Sequence, residues 1–188
     1  MKSLGSILFA AGVFVSNIAV ADDLEARAAQ SRDATQALMK ELVGIMEGAV
    51  QKGGPLNAIV TCNEQALPLT HKVAEQQGMD IGRTSLKIRN PKNAPDAWET
   101  AVMENFAKRK AAGEDAAKLE HYEIVETEGG KEFRYMKAIP LRGVCVVCHG
   151  PGIKKDVSDK LYGLYPDDQA RGFLPGDIRG AFTIRQKM

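Results

Sequence analysis

Cysteine is scarce, with three residues in 188, and so are histidine, also three, and tryptophan, with one. Three thiols are too few for the dense disulfide framework of a small secreted scaffold, and three imidazoles leave any metal centre few candidates. Net charge is nearly absent as well, with 25 basic residues against 24 acidic ones. That balance lends no support to a nucleic-acid or membrane-surface partner. No internal repeat or low-complexity tract occurs, and beyond the first segment no apolar run reaches the roughly 20 residues that span a bilayer. The hydrophobic fraction of 44% and charged fraction of 26% are those of an ordinary globular protein, long enough for one substantial core.

The first segment addresses the compartment. Lys2 supplies a short positive region, residues 4–15 an apolar one, and Ala19 and Ala21 the small residues that signal peptidase needs. Ser16 and Asn17 break the apolar stretch, which favours cleavage over a membrane anchor. The expectation is a signal peptide over 1–21 and an exported, periplasmic domain over 22–188. Only Lys2 is lost among the charged residues, so that domain would carry 24 basic and 24 acidic residues.

Residues 22–52 carry apolar side chains at Leu38, Met39, Leu42, Val43, Met46 and Val50, a spacing of three and four that predicts one long helix. Gly53, Gly54 and Pro55 should end it. A second helix is expected over 56–77, with Pro68 kinking or dividing it. Residues 79–88 fit a strand, and Asn90 to Pro95 read as turn chemistry. Asp96 can cap a third helix bearing Trp98, Val102, Met103 and Phe106. Gly129 and Gly130 separate two β-compatible runs, 121–128 and 131–139, which is a hairpin signal, and residues 181–184 suit a final strand. Helices before and beside a small antiparallel sheet make the class α+β.

Cys145-Val146-Val147-Cys148-His149 is C-x-x-C-H, the attachment motif for c-type haem. Two thiols at this spacing reach the two vinyl groups of one porphyrin, and the next residue brings an imidazole to the iron. A redox disulfide should open a helix after a strand, whereas this motif reads as a loop between Pro140 and Pro151. A zinc site would need two further ligands at recognisable spacing. One motif implies one haem c. The sixth iron position is open to Cys62, His71, His121 and the methionines Met39, Met46, Met103 and Met136. Of these Cys62 stands out, because two thioethers leave it as an odd thiol.

Several further segments resemble a known family. Cys62 to Pro68, Gly82 to Ser85, Arg89 to Asn93, Pro95 to Glu99, Leu164 to Gly172 and Gly176 to Ala181, together with the C-x-x-C-H run, are similar to the PAS-like single-haem c-type cytochromes. The resemblance implies a PAS-like sheet with a long N-terminal helix, and iron held by His149 and Cys62. One departure is Leu67, which stands between Ala66 and Pro68. A thiolate stabilises ferric iron, so such a pair implies a low potential and a bond that weakens on reduction. Arg83, Arg89 and Arg179 are candidates for pairing with the haem propionates. Trp98 and Tyr165 are expected chiefly as core.

Two roles are consistent with these features, electron transfer and redox or diatomic-gas sensing, each with a separate redox or signalling protein as partner. A small peroxidase is the alternative; it would need an open distal position with His71 or His121 beside it.

Overall fold

The computed structural model describes residues 15–188. Most of the expected signal segment, 1–21, lies outside the described residues, and helix α1, Val15–Gln77, is continuous across the Ala21–Asp22 bond. Among the described residues no helix is long and apolar enough to cross a membrane.

Within α1 the backbone leaves helical geometry at Gly53 and Gly54, where Gly54 takes φ 70°. That left-handed value suits glycine, which has no Cβ to clash. Asn57 then donates through Nδ2 to the Ala49 carbonyl across the break at 3.0 Å. Ala28, Ala34 and Leu38 before the break share one buried cluster with Val73 after it. A straight helix rising 1.5 Å per residue would hold Ala28 and Val73 far apart, so the chain folds back into a helical hairpin. Pro68 does not divide the second arm, which stays helical to Gln77. Pro68 can donate no hydrogen bond to the preceding turn, but packing of Ala66 and Val73 carries the helix through.

The hairpin covers one face of a four-stranded antiparallel sheet in the order β1-β4-β3-β2. The strands are β1 Asp80–Thr84, β2 Glu120–Thr127, β3 Gly130–Pro140 and β4 Ile178–Lys187. Alternation assigns the faces. Ile81, Phe133, Tyr135, Phe182 and Ile184 meet the hairpin. Met136, Ala138 and Ala181 meet helix α2, Ala97–Ala111, through Val102, Met103 and Phe106. Asp96 caps α2 in a reciprocal capping box with Glu99. The fold is therefore α+β, as expected.

Two elements differ from expectation. Residues 155–164, which carry no element in the expectations above, form helix α4, Lys155–Leu164, burying Val157 and Leu161 one turn apart. The C-x-x-C-H segment is not a loop. It is a 3-10 turn, Gly143–Cys145, followed by the one-turn helix α3, Val146–His149. Gly150 ends α3 with an extended backbone.

Two arms of the fold generate tests. Gly180 packs so closely on β1 that an added Cβ would sit 2.5 Å from the Thr84 carbonyl oxygen. Gly180→Ala should cost about 1–3 kcal/mol by overpacking, read as a lower urea midpoint. The hairpin is also pinned by Arg32, which donates to Glu120 at 2.8 Å, while Tyr135 donates to the same carboxylate at 3.0 Å. Burial pushes the Glu120 pKa up, but these two donors more than reverse it and hold it below its ordinary value of 4.5. Its stabilisation is present above that value and is lost as pH falls below it. Between about pH 6 and about pH 3 the wild type should lose more stability than Glu120→Gln in parallel urea titrations.

Candidate functional site

The hairpin and the sheet do not close on each other at the Gly53–Gly54 end. Between them lies a cavity of about 290 Å3. Met39, Leu42 and Met46 line it from the first arm, and Ile59, Cys62 and Ala66 from the second. Phe182, Ile139 and Leu141 close the sheet side, and Leu161 and Tyr165 complete an apolar wall. Cys145, Cys148 and His149 line the same cavity, as do Arg83, Arg89 and Arg179. All three cysteines are free thiols.

The other sequence candidates are sorted by this geometry. Met103 and Met136 are buried on the opposite face of the sheet, against α2. His71 borders a separate polar pocket outside β1. His121 is half-buried on β2, hydrogen-bonded to Glu123 at 3.1 Å and tilted against Trp98 with ring centroids 5.8 Å apart. Trp98 thus lies away from the cavity, whereas Tyr165 lines it. Of the candidate sixth ligands, Cys62, Met39 and Met46 remain on the cavity wall.

The motif turn is held by the loop after α4. Phe173 N donates to the His149 carbonyl and Gly172 N to the Gly150 carbonyl, at 3.0 and 3.1 Å. His149 Nδ1 lies 2.8 Å from the Ala170 carbonyl oxygen and 3.0 Å from Arg179 Nε. One nitrogen cannot donate to the first and accept from the second. A carbonyl oxygen only accepts, so placing lone pairs at both ends of the 2.8 Å contact would be repulsive; Nδ1 carries the proton. Nε2 is then left with its lone pair, the form that binds a metal. Burial, and then Arg179 and Arg89, lower the His149 pKa to about 3, so the ring is neutral at physiological pH. Burial likewise pushes the Cys62 and Cys148 thiols up, with Arg83 and Arg89 pulling the Cys62 value back in part.

The three arginines have different partners. Arg89 is committed to protein. Its guanidinium grips Asp168 through Nε and Nη2, both at 3.0 Å, and Nη2 also reaches the Cys148 carbonyl at 2.6 Å. Asp168 is 1% exposed and Arg89 12%. Arg179 donates to Ser85 Oγ at 2.9 Å and forms no ion pair among the described residues; its Nε–H, facing the Nδ1–H of His149, has no acceptor there. Burial lowers the Arg179 pKa to about 10, so it remains a cation at neutral pH. Arg83 makes no ion pair among the described residues, and burial lowers its pKa too. Two guanidinium charges therefore face an apolar cavity without a carboxylate. An isolated charge in such surroundings is costly, so the site is complementary to a largely apolar ligand that carries two anionic groups.

The Arg89–Asp168 pair and the Ala170 carbonyl were not found from sequence as supports of the motif. Asp168 to Gly172 belongs to one of the segments that carry the family resemblance, and nothing local to that segment says which turn it grips.

The crystal structure of the cyanobacterial heme-protein Tll0287 is similar to this one, with a TM-score of 0.59 and 20% sequence identity over 84% of this chain and 95% of that chain. At that identity the likeness is one of fold. No curated protein matches the sequence. A family model described as Tll0287-like (Tll0287) matches residues 19–186, a span that takes in nearly all of the hairpin and sheet and every residue that lines the cavity. The chain belongs to the Tll0287-like family.

Proposed function

We propose that this chain is an exported protein carrying one covalent haem c, acting in electron transfer or in redox or gas sensing, with the cavity as its haem pocket. The observation that carries the reading is a convergence on one apolar cavity. Both C-x-x-C thiols, the Nε2 lone pair of a neutral His149, the Cys62 thiol and two uncompensated guanidiniums all line it. These residues fit haem c. Cys145 and Cys148 would take its vinyl groups in thioether bonds, His149 and Cys62 would be the iron ligands, and Arg83 and Arg179 would pair with its two propionates. The heme-protein of similar fold supports a haem cofactor.

When bound, the haem supplies a one-electron iron centre. The chain's own residues set its environment. The Ala170 carbonyl holds the Nδ1 proton of His149, which fixes the tautomer and the ring plane. Leu42, Ile59, Leu161 and Phe182 would pack against the porphyrin and exclude water from it, and a dry surround raises the weight of every nearby charge. Arg89, a candidate propionate partner that also lines the cavity, supports the motif turn through Asp168 and the Cys148 carbonyl. The peroxidase alternative has no histidine on the cavity wall besides His149 to act as acid and base. A separate redox or signalling protein in the periplasm would be the partner, consistent with the signal-like segment 1–21.

The cofactor is tested by intact mass and acid–acetone extraction of protein expressed with its export signal. A chain that begins at Asp22 and keeps its haem is expected, and Cys145→Ala with Cys148→Ala should lose it. A freely extracted haem would refute the reading. The sixth ligand is tested by ferric absorption and EPR spectra. Cys62→Ser should convert a low-spin thiolate spectrum to high-spin or water-bound and raise the reduction potential, while His71→Ala and His121→Ala leave the spectrum unchanged. If Cys62→Ser keeps the wild-type spectrum and Met39→Leu or Met46→Leu abolishes it, Cys62 is not the ligand.

A further inference from the structure

We infer that Asp168, together with Arg89, is the positioning unit that sets how strongly His149 binds iron. This rests on the haem reading above and adds to it a control of the proximal bond by a carboxylate that does not itself line the cavity. Asp168 is the most enclosed carboxylate around the motif, 1% exposed, and its two oxygens are fully used. Oδ1 accepts from Ala170 N at 3.0 Å and from Arg89 Nε at 3.0 Å. Oδ2 accepts from Arg89 Nη2 at 3.0 Å and from Arg171 Nε at 2.9 Å.

Each of the first two partners leads to the proximal ligand, and the two routes meet at the Ala170 carbonyl, to which Arg89 Nη2 also donates at 3.3 Å. Ala170, held at its N–H by Oδ1, presents its carbonyl to His149 Nδ1 at 2.8 Å. Arg89, held bidentately, grips the Cys148 carbonyl at 2.6 Å, immediately before His149 in the chain. The carboxylate thereby fixes both the imidazole's hydrogen-bond acceptor and the backbone that carries the imidazole. A firm Nδ1–H to carbonyl bond puts electron density into the ring and makes Nε2 a better donor to iron, and partners in this position tune a metal nearly as much as its ligands do. A stronger donor stabilises ferric over ferrous iron. Loosening the unit should therefore weaken the iron–imidazole bond and raise the reduction potential. Arg171, which binds the same carboxylate from its outer side and reaches Ser158, touches neither route to His149.

The test uses the haem-loaded full chain with two substitutions, Asp168→Asn and Arg89→Lys, and the control Arg171→Ala. Asp168→Asn is nearly isosteric but sets an amide N–H against guanidinium donors. Arg89→Lys keeps the positive charge and loses the planar two-pronged grip, so a shift in it cannot come from net charge, and it decides the matter if Asp168→Asn fails to fold. Both should retain covalent haem by mass. In both, the iron–histidine stretch in the resonance Raman spectrum of the ferrous protein should move to lower frequency. The ferric-to-ferrous equilibrium constant should shift about tenfold toward ferrous, about 59 mV for one electron. Arg171→Ala should leave the stretch unmoved. If the variants keep their haem and both the stretch and the potential stay at wild-type values, the inference is wrong while the haem reading stands. If the wild type itself carries no covalent haem, it is the haem reading that has failed.

Discussion

Burying an ionised carboxylate is expensive unless every lone pair finds a donor, and Asp168 meets that requirement with two arginines and a backbone amide. The loop after α4, the motif turn and the loop after β1 are joined through this one group. Removing Asp168 would leave the buried Arg89 without its carboxylate, and removing Arg89 would leave Asp168 with Arg171 as its one ion-pair partner, so the pair acts as a constraint on where the three segments can lie. The motif helix α3 is only one turn long and could not hold its own position. It is the Arg89 grip on Cys148, with the backbone bonds of Gly172 and Phe173, that fixes the two thiols and His149 toward the cavity.

The cavity itself follows from a mismatch of two surfaces. At the end carrying Ala28, Leu38 and Val73, the hairpin packs on Ile81, Phe133, Tyr135 and Ile184 in one buried cluster. Toward Gly53–Gly54 the hairpin continues beyond the sheet, and the apolar stripe of Leu42, Met46 and Ile59 finds motif residues and α4 opposite rather than strand. A stripe of this kind, together with two arginines that lack carboxylates, is incompletely satisfied by the protein alone. A flat apolar cofactor with two acidic groups would satisfy both demands at once.

Much of this was legible along the chain. Glycine with φ of 70° and proline at the α1 break, the Asp96–Glu99 capping box and the Gly129–Gly130 hairpin are local devices, and each acts through residues within a few positions of one another. Less legible were features decided at a distance. Pro68 failed to divide its helix because the neighbouring turns pack on the core. α4 has few apolar positions, and Val157 and Leu161 gain their meaning only from Ile59 on α1. Arg89 looked equivalent to Arg83 and Arg179 because sequence says nothing about which of three arginines meets Asp168, 79 residues away.

The sequence by itself determined the chemistry available. A C-x-x-C-H run, one odd thiol and the alternation of apolar positions bound the chain to an α+β fold and a haem-type ligand set, since these depend on residue identity and short spacing. Only the tertiary structure decided who meets whom. It put Cys62, Met39 and Met46 on the cavity wall and His71, His121, Met103 and Met136 elsewhere, and among the described residues it left Arg83 and Arg179 without carboxylates while Arg89 pairs with Asp168. Those outcomes rest on contacts between segments tens of residues apart, set by how the hairpin and the sheet pack, and no local pattern encodes them.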